Sequence, residues 1–207
     1  MYDGRFQYGA YGVGFDVRYV FDNTRSSFPP DSLESEYLGR PIRIMFWYPV
    51  LDDGPSHPLV FGDYIHLEPS NSRFIAHNDI LVLRDLGTAR RQFAGEQADS
   101  LSQVLLATAI SAHRDATPAQ GPFPLILHSL GRNDYQQEST VLWEYIASYG
   151  YVVATVPQFG LDPSRDRLAY AAGDHELQLS DVAFALSQLI DLPYVDASRL
   201  GVFEFRY

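Results

Sequence analysis

Histidines and carboxylates are the residues of this chain that could act as catalysts or metal ligands. Asp174, His175 and Glu176 are consecutive and are of types that bind metal ions. Adjacent positions on a helix point to different faces, so Asp174 is better interpreted as a helix cap. His128 ends an apolar run, and a lone histidine there is more often structural than catalytic. We therefore expect no metal site, no bound cofactor and no catalytic role for His128.

Three further carboxylates have simple interpretations. Asp162 and Asp166 lie in a loop and are expected to be solvated, whereas Asp181 is expected on a helix surface, paired with an arginine. The chain has no cysteine, which excludes disulfides, a thiolate nucleophile and cysteine-ligated metals.

The elements that position these residues begin with a predicted antiparallel pair of strands. Residues 11–22 alternate, with Phe15, Val17, Tyr19 and Phe21 on one side, and residues 42–48 form a second, aromatic-rich strand. The loop 23–40 between them is rich in Ser, Pro and Asp. No element is predicted over 52–74, which is punctuated by Pro and Gly.

A helical excursion between strands is predicted over 79–122. Leu101, Val104, Leu105 and Thr108 recur at helical spacing within it. Nothing in this segment suggests catalysis.

Strands and helices alternate regularly from Phe123 onward. Strands are predicted over 124–128, 151–156 and 200–205. Helices are predicted from a cap at Asn133 or Asp134 to a stop at Gly150, and from Asp174 to Pro193. Their predicted buried positions are Val141, Leu142, Tyr145 and Ile146 in the first helix, and Leu179, Val182, Leu186, Leu189 and Ile190 in the second. Buried strands alternating with amphipathic helices predict an α/β fold with parallel strands and helices on both faces.

Five fragments in this order resemble bacterial α/β-hydrolases of the dienelactone hydrolase and platelet-activating-factor acetylhydrolase type. They are "RPIRIMFWYP", "FGDYI", "PLILHSLG", "YIASYGYVVATVP" and "LSDVAFALSQL" followed by "VDASRLGVF". The resemblance extends roughly over residues 13–205. It implies an incomplete α/β-hydrolase fold in a single, C-terminally truncated domain, residues 1–207. It also implies ester hydrolysis by a serine, an acid and a histidine in that chain order.

The resemblance places the family's nucleophile turn, G-x-S-x-G, at the end of the chain. Small residues flank such a serine because the strand turns sharply into a helix. Here Glu204 occupies the first glycine position and Arg206 the serine position. A guanidinium stays protonated and is no acyl nucleophile, so no catalytic residue is expected to be intact. An ordinary strand with no such turn is the alternative.

The loop after the strand 124–128 resembles the family's oxyanion loop, whose backbone N–H stabilises the tetrahedral intermediate. Leu130 and Gly131 are the candidates for this role. A plain strand–helix turn capped by Asn133 or Asp134 is an equally good interpretation.

These features predict the N-terminal portion of a serine ester hydrolase, with a small carboxylic ester or lipid-like ester as substrate of the complete fold. The chain itself is expected to be inactive, because the acid and histidine of the triad would follow the nucleophile turn. The alternatives are a truncated pseudo-enzyme that serves as a binding or interaction module, and a damaged gene product without function.

Composition restricts the partners. Hydrophobic residues make up 46% and aromatic residues 14% of the chain, as expected for a packed domain. A net charge of −11 argues against nucleic acid and against an anionic membrane surface. No signal peptide or membrane span is expected, so we predict a soluble protein, cytoplasmic by default and of unknown compartment. The strand 200–205 is expected to have an unpaired edge that favours self-association.

Overall fold

The structure is a computed structural model. It describes residues 7–26, 39–51, 56–67, 74, 98–130, 136–157 and 174–204.

Strands and helices alternate through the described part of the chain. The strands are β1 Gly12–Ser26, β2 Gly39–Val50, β3 His57–Val60, β4 Ala109–Arg114, β5 Phe123–Ser129, β6 Val152–Thr155 and β7 Val195–Glu204. The α-helices are α1 Ala98–Leu106, α2 Thr140–Ser148 and α3 Asp174–Leu189, and a 3₁₀ helix spans Phe61–Tyr64. Among these helices, none is both long and apolar enough to cross a lipid bilayer.

The described strands form one seven-stranded sheet in the order β3-β4-β1-β2-β6-β5-β7. β1 and β2 pair antiparallel, and β5 pairs in parallel with both β6 and β7. β2 is antiparallel to β6, whereas β4 is parallel to β1, so β1, β4, β5, β6 and β7 all run in one direction. The predicted α/β fold, with its antiparallel pair followed by parallel strands, is confirmed.

Each face of the sheet carries its own apolar core. On one face Ile44 and Phe46 of β2 belong to a cluster with Val182 and Leu189 of α3. On the other face Trp47 belongs to a cluster with buried residues of α2 and β1, including Trp143, Ala147 and Phe15. Neighbouring residues of β2 face opposite helices, which is why this strand is almost continuously buried.

The predicted helical excursion over 79–122 is partly wrong. Its helical spacing is realised in α1, but Ala109–Arg114 forms β4, which pairs with β1 and β3. β4 carries few large apolar side chains, and the small Ala112 is its one fully buried residue. Pairing within the sheet therefore outweighs a weak local signal. β3 was likewise not predicted, and residues 79–97 lie outside the described part.

The buried faces of two helices also differ from prediction. Val141 of α2 is exposed, and the helix instead buries Thr140, Trp143, Glu144, Ala147 and Ser148. Leu142 and Ile146, two of the predicted buried positions, pack partly buried against the core of this face. The polar Glu144 is buried as well, because it has hydrogen-bond partners there. Leu179 of α3 is 70% exposed, whereas Val182 and Leu189 are buried as predicted.

The ends of α2 were predicted with mixed success. Gly150 follows the helix with φ of +89°, a left-handed conformation that favours glycine, so its prediction as the helix stop is confirmed. The helix begins at Thr140, later than predicted, and the expected caps Asn133 and Asp134 lie outside the described residues.

Candidate functional site

The carboxyl ends of β5, β6 and β7 meet at one edge of the sheet, where open α/β sheets bind ligands. In the strand register His128 lies opposite both Thr155 of β6 and Phe203 of β7, and Ser129 lies opposite Glu204. The sheet therefore brings the predicted oxyanion loop and the predicted nucleophile strand side by side.

The strand that leads to the predicted nucleophile position is β7. Glu204 is its last residue and is exposed, while the preceding Phe203 packs against the core on the α2 face. Arg206, at the predicted serine position, lies outside the described residues.

The oxyanion-loop candidate Leu130 is held by a side chain that the sequence did not suggest. Leu130 is 1% exposed, and its carbonyl accepts a hydrogen bond from Gln178 Nε2 at 3.0 Å. The same nitrogen lies 3.0 Å from Ser129 Oγ. Gln178 of α3 thus fixes the peptide that opens the loop, whereas Gly131 lies outside the described residues.

Two buried glutamines hold the segment that enters α2. Gln136 accepts a hydrogen bond from Arg43 Nε at 2.9 Å and donates one to the Thr155 carbonyl at 2.8 Å. Gln137 donates to the Tyr64 carbonyl at 3.1 Å. Sequence reasoning missed both, because buried amides with long-range partners have no local pattern.

His128 is buried in an aromatic cluster. Its ring centroid is 4.6 Å from that of Trp143 and 5.8 Å from that of Phe203. With only 3% of its surface exposed, it lies in a packing environment and not in an open cleft. This placement supports its interpretation as a structural residue.

Asp181 pairs with arginine, but its predicted surface position is wrong. The residue is 3% exposed and accepts two hydrogen bonds from Arg40, at 2.7 and 2.6 Å. Arg25 adds an ion pair at 2.9 Å. The sequence pattern predicts that this helix position faces solvent. Asp181 is buried instead because Arg40 of β2 forms a salt bridge with it.

The same network reaches Asp22 at the end of β1. Burial alone would raise the pKa of Asp22, but hydrogen bonds from Thr24 and Arg25 outweigh it and lower this pKa below its ordinary value. The charged cluster joins β1, β2 and α3 on the carboxyl side of the sheet.

A second buried polar cluster lies on the α2 face, around Glu144. Its carboxylate accepts hydrogen bonds from the Tyr64 hydroxyl at 2.9 Å, the Ser111 N–H at 2.9 Å and the Tyr8 hydroxyl at 3.3 Å. Trp47 Nε1 donates to the Tyr64 hydroxyl at 2.8 Å. Burial is the main cause that raises the pKa of Glu144, and it also raises the pKa of Tyr64 well above its ordinary value.

The remaining candidate residues do not assemble into a site in the described structure. His175 and Glu176 are exposed in the first turn of α3, and Asp162 and Asp166 lie outside the described residues. Within the part of the chain that is described, no group of three or more potential metal ligands is clustered.

A solved structure resembles this chain over most of its length. No protein-family model matches the sequence, and no curated protein matches it. A ferulic acid esterase from Streptomyces cinnamoneus superposes with a TM-score of 0.58 at 23% sequence identity, covering 94% of this chain and 52% of that chain. This chain thus spans about half the length of the solved esterase. At this identity the likeness shows that the two proteins share an α/β fold.

Proposed function

We propose that this chain supplies the N-terminal part of a serine ester hydrolase of the dienelactone hydrolase and acetylhydrolase type. The complete fold would act on a small carboxylic ester or a lipid-like ester. The observation that supports this most is the esterase neighbour, which matches almost the whole chain with only half of its own length.

The proposed site lies where β5 and β7 end. In an ester hydrolase of this kind a serine after β7 attacks the ester carbonyl, and backbone N–H groups of the loop after β5 stabilise the oxyanion. Leu130 and Gly131 are the proposed oxyanion-loop residues, and Gln178 would keep their loop in position.

The chain as it stands is proposed to be catalytically inactive. Arg206 occupies the proposed nucleophile position, and a guanidinium does not attack an ester carbonyl. Glu204 adds a charged side chain where a glycine would allow close approach of backbone and helix.

Inactivity is tested with purified protein, an activated short-chain aryl ester and a serine-reactive fluorophosphonate. We expect turnover at the level of a heat-inactivated sample and no covalent label. Turnover above that level, or labelling of any serine, would contradict the proposal.

Descent from an ester hydrolase is tested by repair. The Glu204→Gly, Arg206→Ser variant is fused to the C-terminal half of the structurally similar ferulic acid esterase. We expect some esterase activity from this fusion, and none from Arg206→Ser alone, because triad members act as a unit. A folded, doubly repaired fusion without activity would argue against the hydrolase assignment.

The alternative function is a binding or interaction module, and the exposed face of β7 favours it. Among the described strands β7 stands at the end of the sheet order, and the side chains of Leu200 and Val202 are 47% and 71% exposed. Such a strand can pair with another chain, including a second copy of this one.

A further inference from the structure

A cavity of about 320 Å³ opens on the other side of β2 from the proposed hydrolase site. This volume lies at the lower end of the range of roughly 300–1,000 Å³ that is typical of small-molecule pockets. The described residues that line it are Val17, Tyr19, Asp63, His66, Leu67 and Arg114.

The cavity lies at the same edge of the sheet as the carboxyl ends of β5 to β7. One row of paired residues crosses the sheet, from Val17 through Met45, Thr155 and His128 to Phe203. Val17 is therefore level with the ends of the parallel strands, and Arg114 is the last residue of β4, which runs parallel to β1. Ligands of open α/β sheets bind outside this edge.

Arg114 gives the cavity a positive charge that no described residue engages in a hydrogen bond or an ion pair. Its guanidinium lies 5.5 Å from the centroid of the Phe15 ring, a cation–π contact that fixes its position. It interacts electrostatically with Asp16, but it makes no hydrogen bond or ion pair with any of the residues that the structure describes. This arrangement contrasts with Arg40, whose guanidinium is engaged by Asp181.

The other residues that line the cavity indicate which class of anion it could bind. Val17 and Leu67 supply the smaller, apolar part of the lining, while the Asp63 carboxylate accepts a hydrogen bond from the Val60 N–H at 2.8 Å. A nearby carboxylate disfavours a doubly charged phosphate more than a singly charged group. A planar carboxylate also matches the guanidinium in a bidentate geometry.

We propose that this cavity binds a small organic carboxylate, with its charged group on Arg114 and its apolar body against Val17 and Leu67. This site is separate from the proposed hydrolase site and does not depend on ester hydrolysis.

Benzoate and its uncharged isostere benzamide are suitable probes, titrated by calorimetry and by NMR chemical-shift changes. Benzoate should bind at least about tenfold more tightly than benzamide, because only benzoate pairs with Arg114. Arg114→Gln should remove this preference, whereas Arg199→Gln on β7 should keep it. Equal binding of both probes to the native protein, or no binding of benzoate at millimolar concentration, would overturn the proposal.

Two further variants test separately the space in the cavity and the negative charge of its wall. Val17→Phe fills the cavity with Arg114 in place, and it should weaken benzoate binding at least about tenfold. Asp63→Asn keeps an acceptor for the Val60 N–H but removes a repelling charge, so it should tighten benzoate binding severalfold. Thermal unfolding of each variant confirms that it is folded. Unchanged affinity in a folded Arg114→Gln or Val17→Phe protein would show that benzoate binds elsewhere.

Discussion

At the scale of single residues, the buried pair of Arg40 and Asp181 should contribute strongly to stability. Removing Asp181 takes away the carboxylate that accepts two hydrogen bonds from the buried guanidinium of Arg40. Asp181→Ala should therefore lower the free energy of unfolding by about 3–5 kcal/mol, measured by urea unfolding.

Arg199→Ala is the control for that substitution, because it breaks an ion pair with Asp196 in which the arginine is largely exposed. Its effect on the urea midpoint should be much smaller. Similar losses in Asp181→Ala and Arg199→Ala would show that the Arg40 pair adds nothing beyond a surface interaction.

Glu144 should make stability depend on pH. Its pKa in the folded protein is raised above the ordinary value of 4.5, chiefly by burial. The folded state therefore holds this proton to higher pH than the unfolded state does. The free energy of unfolding should fall as pH rises from 4.5 toward the raised pKa.

Glu144→Gln, which cannot ionise, should lack this part of the decrease. The free energy of unfolding of the variant minus that of the native protein, measured with urea, should therefore be larger at pH 7 than at pH 4. Glu176→Gln, at an exposed position of α3, should show no such trend. A Glu144→Gln difference that stays constant with pH would contradict burial as the cause.

At the scale of elements, Gly150 ends α2 in a conformation that other residues adopt at a cost. Gly150→Ala should lower the free energy of unfolding by roughly 1–2 kcal/mol, because of the left-handed backbone. This loss should lower the melting temperature by several degrees in a thermal scan.

Gly201 of β7 provides a matched control. Among the described residues, an added Cβ there would meet Ile126 at an ordinary distance of 3.8 Å, and the φ of Gly201 lies outside the left-handed region. Gly201→Ala should leave the melting temperature unchanged or raise it slightly. A similar decrease in both variants would show that the conformation of Gly150 is not the cause.

Elements with a strong local signal could be predicted from the sequence, and those that depend on distant partners could not. The alternation of β1 and the apolar β5 and β6 gave the correct strands. β4 was missed because its burial comes from β1 and β3, which contribute from far along the chain. The burial of Asp181 and Glu144 could not be predicted for the same reason, because their partners Arg40 and Tyr64 are distant in the sequence.

At the scale of the whole molecule, the position of β7 at the end of the described sheet, together with its exposed apolar side chains, should lead to self-association. The native protein is expected to form dimers or larger species at concentrations of tens of micromolar, measured by light scattering. Val202→Lys should shift it toward monomer, because a charged side chain on an edge strand opposes pairing.

Val104→Lys on α1 is the matched control, since Val104 is exposed to a similar degree, 65% against 71% for Val202. It should leave the oligomeric state unchanged. A native protein that is strictly monomeric at these concentrations would show that β7 does not mediate association.

The central position of β2 has a consequence for synthesis of the protein on the ribosome. One edge of β2 pairs with β1, which is made just before it, but the other edge pairs with β6, where Trp47 meets Val153 after about half the chain. Until β6 emerges, β2, which is apolar from Ile44 to Val50, has one open edge. Nascent chains that stop before Val152 should therefore be the ones that chaperones capture, and slow translation of this stretch should favour aggregation.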